Sequence, residues 1–127
     1  MIGYSTVGTN DMDRAAAFYD ALFAEMGINA RAWDSEGFKG WSAGGPMFCI
    51  SKPVDGNGAT VGNGVMIAIA APDRETVDKM YAKAIELGAT DEGTPGPRPR
   101  DNDDSPFYAG YFRDLDGNKL NFFHFRR

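Results

Sequence analysis

The stretch Thr9-Asn10-Asp11-Met12-Asp13-Arg14-Ala15-Ala16-Ala17-Phe18-Tyr19-Asp20-Ala21-Leu22 holds a helix start and most of one helical face. Asn10 and Asp11 offer short side-chain acceptors to the first free amides of a helix. From Met12 onward the apolar residues Ala15, Ala16, Phe18, Tyr19, Leu22, Phe23 and Met26 recur at helical period, and Gly27 stands where a left-handed cap belongs. The spacing predicts a helix over residues 11–26. A short strand over residues 2–8 precedes it. Three strands over 29–34, 38–43 and 47–51 follow, separated by the turn signals Ser35-Glu36-Gly37 and Gly44-Gly45-Pro46.

The rest of the chain repeats this plan. Residues 64–71 read as a continuous apolar strand, and Pro72-Asp73 opens a helix that points Val77, Met80, Tyr81, Ala84 and Leu87 inward before Gly88. Three strands are expected again, over 89–92, 107–113 and 119–125, with Asp114-Leu115-Asp116-Gly117-Asn118 as the last hairpin turn. The two helix starts, Asp11 and Asp73, are offset by 62 residues, as copies of one βαβββ unit would be. The expected organisation is one domain over 1–127, with a first module of about 1–52, a linker of about 53–63 and a second module of about 64–127. Each module leaves one sheet face apolar. Closing the two side by side into a curved eight-stranded sheet would bury those faces and leave a concave interior for a ligand.

The helix-opening stretch, with its Phe18-Tyr19 pair, and the hairpin Tyr111-Phe112-Arg113-Asp114-Leu115-Asp116-Gly117-Asn118-Lys119-Leu120 together resemble the vicinal-oxygen-chelate superfamily. That superfamily includes glyoxalase I, bleomycin-resistance proteins and extradiol dioxygenases. Its usual Asp-Pro-Asp-Gly-Asn turn appears here with Leu115 in place of proline. The resemblance implies an α+β fold of two βαβββ modules forming a cupped, barrel-like mixed sheet. The Asp-x-Asp-Gly pattern also resembles a calcium loop, but Gly117 is fourth rather than sixth from Asp114 and Phe125 stands where the glutamate is needed.

Metal-dependent members hold a divalent ion with His, Glu or Gln from the first and last strand of each module. By the resemblance these positions are Tyr4, Met66 and Asn121, with Phe48 as Asn121's counterpart in the first module. A phenol, a thioether, an amide and a phenyl ring do not suit a hard or borderline divalent ion. The flanking residues offer no better set, so neither metal nor other cofactor is expected. The candidate ligand-binding residues are Tyr4, Phe48, Met66, Arg98, Tyr108 and Asn121. Tyr4, Asn121 and Arg98 are the candidates for polarising a carbonyl substrate. Met47, Phe107, Trp33 and Trp41 are possible apolar lining or plain core. Arg98 lies in Thr94-Pro95-Gly96-Pro97-Arg98-Pro99-Arg100, a loop stiffened by prolines whose arginines suit an anionic group. His124, at odd spacing from Asn121, should face away from the cup. Cys49, in an apolar strand, reads as inert core.

Eighteen acidic against 13 basic residues give a net charge of −5, which disfavours nucleic acid. The N-terminal stretch has neither a basic segment nor a long apolar run, so no signal peptide or membrane span is expected. A single cysteine fits a cytoplasmic protein. The resemblance further implies a homodimer. It leaves open an enzyme, a sequestering protein of the bleomycin-resistance type or a metal-dependent lactoylglutathione lyase-like activity. Degenerate ligand positions favour a small-molecule protein that is not an active glyoxalase I.

Overall fold

A computed structural model describes residues Met1–Arg127 as two compact units, Met1–Asn63 and Gly64–Arg127. The first contains β1 (Tyr4–Gly8), α1 (Met12–Ala24), β2 (Trp33–Ser35), β3 (Phe38–Ser42) and β4 (Met47–Ser51). The second contains β5 (Ile67–Ala70), α2 (Arg74–Glu86), β6 (Thr90–Pro97), β7 (Phe107–Arg113) and β8 (Lys119–Phe125). Each unit is βαβββ. In each, the last strand pairs parallel with the first and antiparallel with the third, giving the orders β1-β4-β3-β2 and β5-β8-β7-β6. Where the sequence suggests one barrel-like sheet, the hydrogen-bond ladders define two four-stranded sheets. Each ladder ends at its own edge strands.

Both helices begin as their sequences dictate. Asp11 and Asp73 have extended backbones, and their side chains accept hydrogen bonds from the amides of Arg14 and Thr76. In the first unit, Phe18, Tyr19, Leu22 and Phe23 are buried on α1. The rings of Tyr19 and Phe23 stand between 4.8 and 5.8 Å from those of Trp41 and Phe48. Burying each such side chain contributes about 1.5–3 kcal/mol, so this cluster fixes the helix on the sheet. In the second unit, Val77, Met80 and Ala84 of α2 are buried, as are Phe112, Leu120 and Phe122 of the sheet.

The linker belongs with the first unit. The Asn10 amide donates to the Ala59 carbonyl at 3.1 Å and accepts from the Ala59 amide at 2.7 Å. A Cβ on Gly8 would come within 2.8 Å of Ala59 Cβ, so the chain can close here only on glycine. The second unit departs from expectation at β6, which runs through Pro97 instead of ending near Glu92. Proline lacks an amide proton, but β6 is an edge strand whose outward positions need no donor. Register shifts between Asp91 and Gly93 and between Gly93 and Gly96 absorb the irregular residues.

Candidate functional site

Strand alternation decides which candidates share a face. In the first unit, Tyr4 pairs with Met47 and Thr6 with Cys49, while Phe48 pairs with Ser5 and Trp41. Tyr4 is therefore on the face opposite α1. It is exposed there and meets Phe38 edge to face at 6.2 Å. Phe48 does not join it. Its ring lies 4.8 Å from Tyr19 of α1, because a phenyl group gains more by completing the aromatic cluster than by facing outward. The residues that do share Tyr4's side are Met47 and Cys49, and Cys49 is buried with its thiol pushed up by burial. Trp41 is core and Trp33 is exposed.

In the second unit, β7 and β8 place Tyr111 opposite Asn121, and Ala68 of β5 pairs with Asn121 from the other side. Met66, two residues before Ala68, brings its sulfur within reach: Asn121 Nδ2 donates to Met66 Sδ at 3.8 Å. Asn121 is 1% exposed, and its Oδ1 has no hydrogen-bond partner. An unsatisfied buried acceptor costs about 1–3 kcal/mol, so this atom is the one polar group of the sheet whose surroundings do not account for it.

The Tyr111 ring beside Asn121 is ringed by cations. The Arg98 guanidinium carbon lies 5.2 Å from its centroid and the Lys119 ammonium 5.7 Å. Arg98 Nη2 and Arg100 Nη2 both donate to the Thr94 carbonyl, at 3.0 and 2.7 Å. Arg98 also donates from Nη1 to the carbonyls of Gly96 and Pro97. Burial first, and the Arg100 charge second, push the Arg98 guanidinium below its usual value. Two guanidinium groups that share one acceptor repel each other. Carbonyl oxygens hold them together here.

Tyr108 does not belong to this face. It pairs with His124, its hydroxyl donates to Asp78 Oδ1 at 2.6 Å, and the Arg74 guanidinium covers its ring at 4.8 Å. Burial and the Asp78 carboxylate push its hydroxyl up to about 12. The α2 side has captured it because Asp78 and Arg74 offer both polar and cationic partners. His124 shares that side, with Nδ1 3.1 Å from the Ala71 carbonyl. Tyr111, absent from the sequence-level candidates, is the tyrosine that stands opposite Asn121. Counting outward from the Asp114–Asn118 turn would have found it, since that turn sets Arg113 against Lys119 and Tyr111 against Asn121.

The residues do not fit the divalent ion of metal-dependent superfamily members. Met66 and Asn121 supply a thioether and an amide, Phe48 faces away, and no three His, Cys, Asp or Glu side chains come together. The turn at Asp114 is likewise structural: Oδ1 accepts from the Asp116 and Asn118 amides at 3.0 and 2.9 Å.

A family model described as a glyoxalase-like domain matches residues 5–123. A glyoxalase/bleomycin resistance protein from Albidiferax ferrireducens T118 is similar over 98% of both chains, at 34% identity and a TM-score of 0.86. A glyoxalase/bleomycin resistance protein/dioxygenase family enzyme from Burkholderia phytofirmans PsJN shares the fold at 21% identity, over 95% of each chain, with a TM-score of 0.73. Lactoylglutathione lyase from Agrobacterium tumefaciens does so at 21% identity, over 97% of this chain and 92% of its own, with a TM-score of 0.69. No curated protein matches in sequence. With nearly the whole chain matched by the family model and a third of its residues shared with the Albidiferax protein, the chain belongs to the glyoxalase-like family of the vicinal-oxygen-chelate superfamily.

Proposed function

We propose that the protein binds a small organic molecule, without a metal, on the face of the second unit's sheet opposite α2. The observation that carries this reading is the buried Oδ1 of Asn121, an acceptor with no partner beside the half-exposed Met66 and the ring of Tyr111. A ligand hydroxyl or N–H supplies the missing donor. Met66 adapts to apolar shapes, and Tyr111 gives a flat wall.

Binding is favoured over acid–base catalysis by the groups on this face. The imidazole of His124 lies on the other side, and Glu92 is committed to Arg113 at 2.8 Å. What remains is an amide, a thioether, a phenol and cations, none of which ordinarily exchanges a proton near neutral pH. The name of the Albidiferax relative, a glyoxalase/bleomycin resistance protein, accords with a sequestering role. The buried, unpaired Cys49 suits a reducing compartment such as the cytoplasm, and no helix is long and apolar enough to cross a membrane.

The test is a small-molecule library followed by NMR on the Asn121 side-chain amide. Binders should shift that signal and lose affinity at least tenfold in Asn121→Leu. Binders that map elsewhere, or a library without any, would overturn the reading. Added nickel, zinc or cobalt should give no turnover of the glutathione hemithioacetal of methylglyoxal, and robust turnover would show that a metal site had been missed.

A further inference from the structure

Six of the molecule's 13 cations are matched to carboxylates. Arg14 pairs with Asp11, Arg31 with Asp20 and Asp34, Lys39 with Asp34, Lys52 with Glu36, Lys83 with Glu86 and Arg113 with Glu92. In a chain with 18 acidic and 13 basic residues, such matching is the ordinary outcome. Of the other seven, Arg74 and Arg126 donate to backbone carbonyls of the 103–105 stretch, while Arg98, Arg100 and Lys119 belong to the sheet of the second unit and its following loop. Arg98 and Lys119 both lie over the Tyr111 ring, Arg100 shares the Thr94 carbonyl with Arg98, and none of the three forms an ion pair. Asp91, whose carboxylate feels Arg100, spends its Oδ1 on the Tyr81 hydroxyl at 2.7 Å and the Gly93 amide at 2.8 Å, and Glu92 is taken by Arg113. The arginines are tied down by backbone carbonyls and one hydroxyl, which fix their positions and leave their charges intact.

Two cations at the Tyr111 ring, a third sharing the Thr94 carbonyl with one of them, and the buried Oδ1 of Asn121 opposite Tyr111 fit the two ends of one ligand. We infer that the ligand of this face is a small organic anion, with a carboxylate or phosphate at Arg98, Arg100 and Lys119 and a hydroxyl or N–H reaching Asn121 Oδ1. This rests on the binding reading above and adds the ligand's charge. Lys119 and Asn121 alternate on one strand, and Tyr111 is diagonal to Lys119 across the β7–β8 pair. Diagonal neighbours stand about 7–8 Å apart, which sets the scale between the ligand's anionic group and its donor. Arg100 is exposed and Lys119 makes no carbonyl contact, so these two set charge preference, whereas Arg98 also shapes the backbone of β6 through its three carbonyl contacts.

Calorimetry with 4-hydroxybenzoate and its uncharged counterpart 4-hydroxybenzamide, at constant ionic strength, separates charge from shape. The wild-type protein should prefer the acid at least tenfold, and the preference should weaken as salt is raised. In Arg100→Gln/Lys119→Gln, which leaves the Arg98 carbonyl contacts in place, the preference should fall below about threefold. Circular dichroism confirms that the variant is folded. Lys79→Gln, a cation of α2 outside the cluster, should keep the full preference. Inorganic phosphate that displaces 4-hydroxybenzoate assigns a phosphate-bearing ligand, and failure to displace it assigns a carboxylate. Equal affinity for acid and amide overturns the charge assignment while leaving the Asn121 reading to its own library. Preference retained in the double variant, preference lost equally in Lys79→Gln, or no binding of either 4-hydroxybenzoate or phosphate also overturns it.

Discussion

Asn121 shows how a single residue can be kept at a cost to the fold. A buried amide whose oxygen has no partner is destabilising in itself, so Asn121→Leu, close in volume and fully apolar, should raise stability by about 1 kcal/mol while lowering affinity for the proposed ligand at least tenfold. Chemical denaturation beside calorimetry reads both; a variant that is less stable would mean the amide is a structural group. Asp20 works in the opposite direction. Its carboxylate accepts from Arg31 Nε at 3.1 Å, Arg31 Nη2 at 2.7 Å and Trp41 Nε1 at 3.0 Å. The Arg31 hydrogen bonds, offset in part by burial, hold it below the ordinary 3.8. A lowered folded pKa means stability that is present above 3.8 and lost as pH falls through the folded value. Asp20→Asn should therefore cost about 1 kcal/mol near pH 7, a figure reduced for solvent screening of a partly exposed pair, and nothing measurable below the folded pKa. Urea titrations at both pH values test it, and a gap that persists in acid would refute the ion-pair origin. At this scale the sequence was only partly legible. It grouped Tyr4, Phe48, Met66, Arg98, Tyr108 and Asn121 as one set, whereas the register puts Phe48 and Tyr108 on the helix-facing sides of their sheets, because a one-residue step changes face and only the pairing reveals it.

Elements were easier to read than faces. The two helices announce themselves through Asp11 and Asp73 and through apolar residues at helical period, signals that are local and so need no knowledge of the fold. β4, β7 and β8 follow from apolar runs between turn residues. β6 was read short because Pro95 and Pro97 look like terminators, and whether a proline ends a strand depends on its being at an edge, which is a property of the whole sheet. The β7–β8 hairpin depends on its turn most directly. Asp114 is 6% exposed, its Oδ1 accepts two backbone amides and its Oδ2 accepts from Asn118 Nδ2 at 3.1 Å. Asp114→Ala would leave these donors unpaired and should destabilise the protein by about 2–3 kcal/mol. Because Tyr111 and Asn121 are set opposite each other by the same turn, the variant should also weaken ligand binding, which thermal unfolding and calorimetry together would show.

At the scale of the whole molecule, the repeat was the most legible feature, since a strand order of first, last, third, second recurs in both units. The division of hydrogen bonding into two sheets was not legible, because no pattern in the sequence states which edge strands are joined. Those edges, β1 and β2 in one sheet and β5 and β6 in the other, carry backbone groups that their own ladders do not use. A homodimer is the expected way to cover some of them. Light scattering should then give about twice the 13.8 kDa of one chain, and a clean monomer at micromolar concentration would count against it.

The strand order also sets a timetable. In each unit the strand that joins the first to the third is made last, so no sheet can be completed from its N-terminal part alone. On a translating ribosome, the first unit has all four strands once Ser51 has emerged, whereas the second waits for Lys119 and beyond. At about 5–20 residues per second this separates the two by several seconds. During that interval β5 is a nascent apolar segment without its partner, and Ile67-Ala68-Ile69-Ala70 is the stretch of the newborn chain most in need of shelter from its neighbours.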